Sequence, residues 1–558
     1  MSLSSVIGTA QSWFRSHAEP PRSNSAGRLG GSVVSSTSAK TPLKIERLPG
    51  ADAVLLSELI KAPSASTRSI HTLFELQRNR VDAAALALGH IGADQSLLKQ
   101  LSHQLEASRF KEDRPATKAE LKAAAHLDKD LLELIASQFR KALLSPKEAM
   151  REAKIAFHNA GQEVLNTKVW SKVETSFQHN GKHYACTQLP AAQMKLGKEN
   201  IFPVSYGGHG VCSSSTCDGT HATNLWTSEI RAACGGPEQV LFKGVRHGIL
   251  SPYGLEKGSI PREEGARNRA YEVVIAALFA RPDLLKDALA GEEVPLRLVS
   301  TSLVTGGLWH ERDMLNDQVN AWRDLGRVQP LVLSLMGDDG ELRDVKIRLQ
   351  VAAFNFGVNE LALKFYLGQT QSDGFNATAM NQLLGDDLRL IAKPGGWVGE
   401  YLAREPKPDN VDRVWLLSLQ LKDIWADKSH NRDGGEPYKA AMRAALLAFE
   451  IGAVPCWNCK SGKDRTGMLD AELKREAVAL HQKGGLSAPG SPLTKDDQRL
   501  LQQTLLHGGN MEVQAYNTGA PGNKVMKDLP AMNLSYHERV GDVEVWNQAQ
   551  GLSGMVKA

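Results

Sequence analysis

Cysteine is scarce: six residues in 558, too few for a disulfide framework, so the chain is expected to work reduced, with reactive thiols retained. Long apolar runs are missing as well. None approaches the roughly 20 residues that a spanning helix needs, and the best, Val414 to Leu421, is strand-length. Met1 to Pro20 is broken by Ser, Gln, Arg and His where the apolar core of a cleavable leader would lie, so no such leader is expected. There is little excess charge: 66 Lys plus Arg against 62 Asp plus Glu give +4 over the whole chain, which argues against nucleic acid as a partner. No internal repeat of about 20–50 residues appears. What remains is 42% apolar and 23% charged residues, the composition of an ordinary folded protein, in a chain long enough for more than one domain at roughly 100–200 residues each.

The texture changes twice along the chain. Pro20 to Pro42 is Ser/Gly-rich without a carboxylate, and residues 1–48 are expected to be disordered when free. Residues 49–166 are Ala/Leu-rich with helical periodicity: Leu127, Leu131, Leu134, Ile135 and Phe139 recur at spacings of three and four. Ser145-Pro146-Lys147-Glu148 then carries a capping hydroxyl, a first-turn proline and a carboxylate at the third position, which starts a new helix. From 167 to 558, strand-like runs (Pro295 to Leu303, Gln329 to Leu335, Arg413 to Leu421) alternate with helix-like ones, so an α/β catalytic domain, or an α+β one, is expected there.

The informative stretch is Ala453 to Leu469, AVPCWNCKSGKDRTGML. A short apolar strand runs into Cys459, a loop of Lys460, Ser461, Gly462, Lys463 and Asp464 follows, and after Arg465 and Thr466 a helix begins near Gly467. The Cys-x5-Arg spacing lets five residues wrap their N–H groups around a phosphate while the helix aims its N-terminus at the same point. Such a cradle stabilises a thiolate, so Cys459 is the nucleophile. Arg465 offers a planar fork to two phosphate oxygens, and Thr466 is placed to assist the sulfur as a leaving group. Lys460 and Lys463 add rim cations that favour a polyanionic substrate. Half a zinc site or a dithiol pair through Cys456 and Cys459 competes poorly, because no second Cys or His pair lies nearby, and the GxxxxGK[ST] of a nucleotide loop is absent.

CKSGKDRTG resembles the signature of the inositol-polyphosphate 4-phosphatases and of the bacterial SopB/IpgD/SigD effectors. A second stretch, NFGVNELAL (Asn355 to Leu363), resembles another motif of these proteins, as do FKGVRHGILSPYGL (Phe242 to Leu255) and NTGAPGNKVMK (Asn517 to Lys527). The resemblance covers most of the chain from about residue 170. It implies phosphatidylinositol phosphates and inositol polyphosphates as substrates and type III secretion into a host cell. It further implies an N-terminal region that binds a secretion chaperone and the small GTPase Cdc42, and no metal or cofactor. It also favours a pocket role for Asn355 and Glu360, and makes Lys524, rather than Lys527, the match to a lysine that supports activity.

Other residues carry weaker expectations. Arg246-His247-Gly248 lacks the Thr or Ser that follows RHG in histidine phosphatases, which leaves Arg246 as a contact to substrate phosphate and His247 without a catalytic part. Asp427, with glycines nearby for a hinge, is the general acid expected to protonate the leaving inositol oxygen, with Asp423, Asp433 and Asp464 as rivals. The leading expectation is thus a metal-independent phosphoinositide phosphatase with a phospho-cysteine intermediate and peripheral membrane contact. Transfer of the phosphoryl group to another ring hydroxyl, and a GTPase-binding effector with secondary phosphatase activity, are the alternatives.

Overall fold

The computed structural model describes residues 67–107, 112–233, 238–306, 309–358, 369–432, 435–482, 485–524 and 536–555. The expectation of disorder over 1–48 lies outside the described residues, as do Glu360, Asp433 and Lys527.

Among the described residues four helices come first: α1 (Ile70–His90), α2 (Ser96–Ala107), α3 (Lys118–Lys141) and α4 (Pro146–Asn166). The stripe read from the sequence lies on α3, where Leu127, Leu131, Leu134 and Ile135 are buried against Phe74, Val81 and Leu88 of α1 and Ala153 of α4. The Ser145 box closes as its spacing dictates: the Ser145 hydroxyl accepts the Glu148 N–H (3.4 Å) and the Glu148 carboxylate accepts the Ser145 N–H (3.2 Å). The bundle is joined to the far end of the chain. Ile70, Leu73, Leu76 and Ala124 share a small core with Ala520 and Leu552.

The rest is built on a mixed eight-stranded sheet of β1 (Val173–His179), β2 (Lys182–Pro190), β5 (Trp226–Ala233), β6 (Gln239–His247), β7 (Glu293–Ser302), β8 (Leu331–Met336), β9 (Leu342–Asn355) and β10 (Val454–Asn458). The two-residue strands β3 (Lys195–Leu196) and β4 (Glu199–Asn200) pair apart from it. Strand order is β1-β2-β5-β6-β10-β7-β9-β8. The four central strands, β6, β10, β7 and β9, are parallel, and the flanking ones are antiparallel. Such a core must be covered on both faces, and it is. One face packs against α5 (Ile260–Phe279) and α6 (Trp309–Arg327). The other packs against α7 (Gln369–Leu384), α8 (Val411–Ala426), α9 (Lys439–Glu450) and α10 (Asp464–His481). Strand alternation divides β10 between the two cores: Val454 and Cys456 face one, Trp457 the other.

The strands read at Pro295 to Leu303 and Gln329 to Leu335 are β7 and β8. The run Arg413 to Leu421 is not a strand; it lies in helix α8. Val414, Leu417, Leu421 and Ile424, at helical spacing, are buried, while Trp415, Leu416 and Leu419 are exposed. The continuous apolar look came from placing both sets in one short window. Among the described residues no helix is long and apolar enough to cross a membrane. Two further helices, α11 (Lys495–His507) and α12 (Asn510–Thr518), bring the C-terminal part of the chain back against α10 and the outer strands β1 and β2.

Candidate active site

Cys459 follows the last residue of β10, at the C-terminal ends of the parallel strands, and α10 begins five residues later at Asp464. The intervening loop is pressed against the end of β6. Gly462 has φ +65°, and a Cβ there would lie 2.5 Å from the His247 carbonyl carbon, so only glycine fits. The loop's carbonyls are tied away from its centre. That of Lys460 accepts the Ile249 N–H (3.2 Å), that of Gly462 accepts from Arg246 Nη2 (3.3 Å), and that of Asp464 accepts from Asn523 Nδ2 (3.0 Å). A peptide whose oxygen is held outward presents its N–H to the other side, which is the arrangement an anion requires.

Cys459 is buried, only 1% exposed. Burial pushes its thiol up, but the Arg465 guanidinium and the hydroxyl and N–H of Thr466 outweigh it, and the thiol titrates below its ordinary value. The Thr466 hydroxyl has no oxygen or nitrogen partner among the described residues, which leaves it for the sulfur. The neighbouring Cys456 shows what burial does without these groups: its thiol is pushed far up. Cys456 and Cys459 therefore do not behave as a matched dithiol.

Arg465 is aimed by two protein groups. Nη1 donates to the carbonyl of Leu303 (2.8 Å), just beyond β7, and Nη2 to Glu311 Oε1 (3.1 Å) in the first turn of α6. Glu311 in turn accepts the Thr305 N–H through its other oxygen (2.8 Å), so its carboxylate is fixed at both ends. Glu311 was not legible in the sequence; a lone Glu at a helix start, far from the loop in the chain, gives no signal.

The other expected residues divide into those at the loop and those behind it. Ser461 Oγ lies 3.8 Å from the Cys459 sulfur. The Lys460 ammonium sits 4.7 Å from the centre of the Tyr253 ring, and Lys463, which caps α10, is half-buried. The Asp464 carboxylate accepts the Lys524 N–H (2.9 Å), so the segment carrying Lys524 is clipped onto the first turn of α10.

Arg246 is placed behind the loop. It is 0% exposed, and its Nη1 and Nη2 donate to Asn510 Oδ1 and the Gly462 carbonyl, with Asp470 at 3.9 Å. It supports the loop from below. His247 is likewise buried, its pKa pushed down to about 4 by burial, with Nδ1 on the Gly248 carbonyl (2.6 Å). Asn355 acts as a strut: its amide donates to the carbonyls of Ser302 (3.1 Å) and Val304 (2.7 Å) and accepts from Ser372, which fixes the turn that carries Leu303. Asp427 is exposed in the turn after α8, where its carboxylate accepts the Ser429 N–H (2.8 Å).

The sequence model of the family described as "Enterobacterial virulence protein IpgD" matches residues 28–556. The chain belongs to this family. It is 48% identical over 524 residues to the inositol phosphate phosphatase SopB of Salmonella typhimurium, covering 93% of this chain and 92% of that one. It is 41% identical over 520 residues to the inositol phosphate phosphatase IpgD of Shigella flexneri, covering 92% of each. The fold of this IpgD-family member is also found in a Legionella phosphoinositide phosphatase (TM-score 0.58, 12% identity, 88% of this chain and 90% of that one). The Legionella phosphoinositide phosphatase SidF shares it too (TM-score 0.52, 12% identity, 80% and 87%).

Proposed function

We propose that the protein is a cysteine-dependent phosphatase of phosphatidylinositol phosphates and inositol polyphosphates. The observation that carries this reading is the lowered thiol of Cys459 in a loop whose carbonyls are turned outward and whose arginine is held ready. The names of the relatives supply the substrate class. In the first step the thiolate attacks phosphorus, the bond from phosphorus to the inositol oxygen breaks, and that oxygen takes a proton. In the second, water attacks the phospho-cysteine, the P–S bond breaks with the Thr466 hydroxyl beside the leaving sulfur, and orthophosphate departs. Arg465 offers its fork to the equatorial oxygens in both steps.

In this reading Asp427 remains the proton donor, for its exposure and the glycines near it; its carboxylate accepts one backbone N–H, that of Ser429, as that of Asp464 accepts the Lys524 N–H. An Asp427→Asn protein should then lose turnover on inositol esters but keep it on p-nitrophenyl phosphate, whose leaving group needs no proton. Delivery by type III secretion, peripheral membrane contact and binding of Cdc42 and a chaperone belong to the same proposal and rest on family membership alone.

The test is positional analysis of ring-phosphate products from wild type beside Cys459→Ser. Turnover abolished in the serine variant, with free phosphate released by wild type, supports hydrolysis. Phosphate kept on the ring at a new position replaces hydrolysis with transfer, and turnover surviving in the serine variant defeats the reading.

A further inference from the structure

Asn224 lies in the bend between β4 and β5, far from the loop in the chain and outside every motif that marks the site. It is 0% exposed and has φ +50°, a left-handed conformation that asparagine tolerates and most residues do not. Its carboxamide is fully used. Nδ2 donates to the carbonyls of Gly462 (2.7 Å) and Ser461 (3.3 Å), and Oδ1 accepts from Trp226 Nε1 and Asn517 Nδ2, each at 2.7 Å.

Both partners that orient the amide are themselves fixed. The Trp226 ring stacks on Trp170 with 5.0 Å between centroids, and Asn517, on α12, accepts the Ser213 N–H (2.8 Å) through its own oxygen. The amide therefore cannot flip: exchanging its ends would set two N–H donors against Nδ2 and two carbonyls against Oδ1.

The two carbonyls that Asn224 holds belong to successive peptides at the middle of the phosphate loop, whose N–H groups are those of Gly462 and Lys463. We propose that Asn224 is a positioning residue for the proposed cysteine chemistry: by pulling these two oxygens back it holds the turn that Gly462 N–H closes on the Cys459 carbonyl (3.3 Å) and keeps the Lys463 N–H dipole turned toward the sulfur and the phosphate. Were the Gly462–Lys463 peptide to rotate, its carbonyl oxygen would replace an N–H at the anion, repelling both the thiolate and the transferring phosphoryl group. The inference rests on the reading of Cys459 as nucleophile.

Asn224→Asp and Asn224→Ala test it. Aspartate keeps the shape, the tolerance for positive φ and the oxygen that Trp226 and Asn517 need, but sets a carboxylate against the two carbonyls; alanine only removes the donor. The readouts are kcat, the melting temperature, and the pH profile of Cys459 alkylation by iodoacetate. The expected result is that both variants move the alkylation profile to higher pH. kcat should fall on the order of 100-fold for Asp, the lower end of what losing an oxyanion donor costs, and about tenfold for Ala, which removes only the hydrogen bonds behind it. A merely structural role would lower the melting temperature and activity together while leaving the alkylation profile of the folded fraction where it is in wild type. That outcome, or wild-type kcat in the aspartate variant, overturns the inference. Wild-type kcat in Asn224→Asp with an inactive Cys459→Ser would defeat only the role of Asn224, whereas activity in Cys459→Ser would defeat the nucleophile itself.

Discussion

Glu311 holds Arg465, with 3.1 Å between Oε1 and Nη2 and both side chains nearly buried. The guanidinium thus reaches the site already oriented, and a cation buried there has its counter-charge whether or not phosphate is bound. Orientation is the part of catalysis a fork-shaped donor can supply only if something else fixes its plane.

Glu311→Gln keeps one hydrogen bond to Arg465 and removes the charge. kcat/KM on phosphatidylinositol bisphosphate should fall by about 10- to 100-fold, or about 1.4 to 2.7 kcal/mol. Arg465→Lys should fall further, because a single ammonium cannot span two oxygens. Steady-state kinetics with circular dichroism as a fold control measures both. Wild-type kinetics in Glu311→Gln would show that Leu303 alone aims the arginine.

The thiol of Cys459 is an acid held below its ordinary value, so its reactive thiolate is present above that lowered pKa and lost as pH falls through it. Thr466→Ala removes one of the groups that lower it. The inactivation profile by iodoacetate should shift to higher pH, and kcat should drop by about tenfold, since a hydrogen bond to a charged group is worth about 1.5–3 kcal/mol. Thr466→Ser should restore both. An unmoved profile in the alanine variant would assign the effect to Arg465 and the main chain.

How much of this was legible follows from distance along the chain. Cys459, Arg465 and Thr466 lie within one short segment, so strand, cradle and helix dipole could be read together. The capping box at Ser145 and the stripe on α3 were equally local. Glu311 and Asn224 reach the loop only because β7 and β6 flank β10, a strand order that no short pattern encodes. Arg246 and Asn355 were noticed for their motifs, but a sequence does not say whether a polar residue stands before a loop or behind it. Here the hydrogen bonds tell: Arg246 donates to the Gly462 carbonyl and Asn355 to those of Ser302 and Val304. The helix at Val411–Ala426 was read as a strand because its buried and exposed faces are both apolar.

Beneath α10, burial works against the Glu472 carboxylate, yet Arg539 and Arg475 hold its pKa down to about 2. A carboxyl depressed in this way contributes its full stabilisation above its unfolded pKa of about 4.3 and loses it as pH falls from there through about 2. Glu472→Gln should cost about 1.5–3 kcal/mol at neutral pH, because Arg475 and Arg539 each lose one buried carboxylate and keep Glu476 and Glu436 respectively. Urea unfolding at pH 7 and at pH 3 checks this: the difference between variant and wild type should shrink at the lower pH. A constant difference would mean that packing, not charge, is lost.

Lys460 is anchored at both ends by one segment. Its carbonyl accepts the Ile249 N–H, and its ammonium lies over the ring of Tyr253, whose hydroxyl is pushed up to about 12 by burial and then by the nearby charges of Cys459 and Glu311. The ring holds the cation at a set place on the rim rather than letting it sweep through solvent. A fixed ammonium matters only to a substrate with a second phosphate to meet it. Tyr253→Leu should therefore raise KM for phosphatidylinositol bisphosphate by about two- to fivefold, the worth of an exposed cation–π contact of about 0.5–1 kcal/mol. It should leave p-nitrophenyl phosphate turnover unchanged. Tyr253→Phe keeps the aromatic face and should behave as wild type toward both. If phenylalanine and leucine fall together, the hydroxyl is what counts and the ring is not the seat of the lysine.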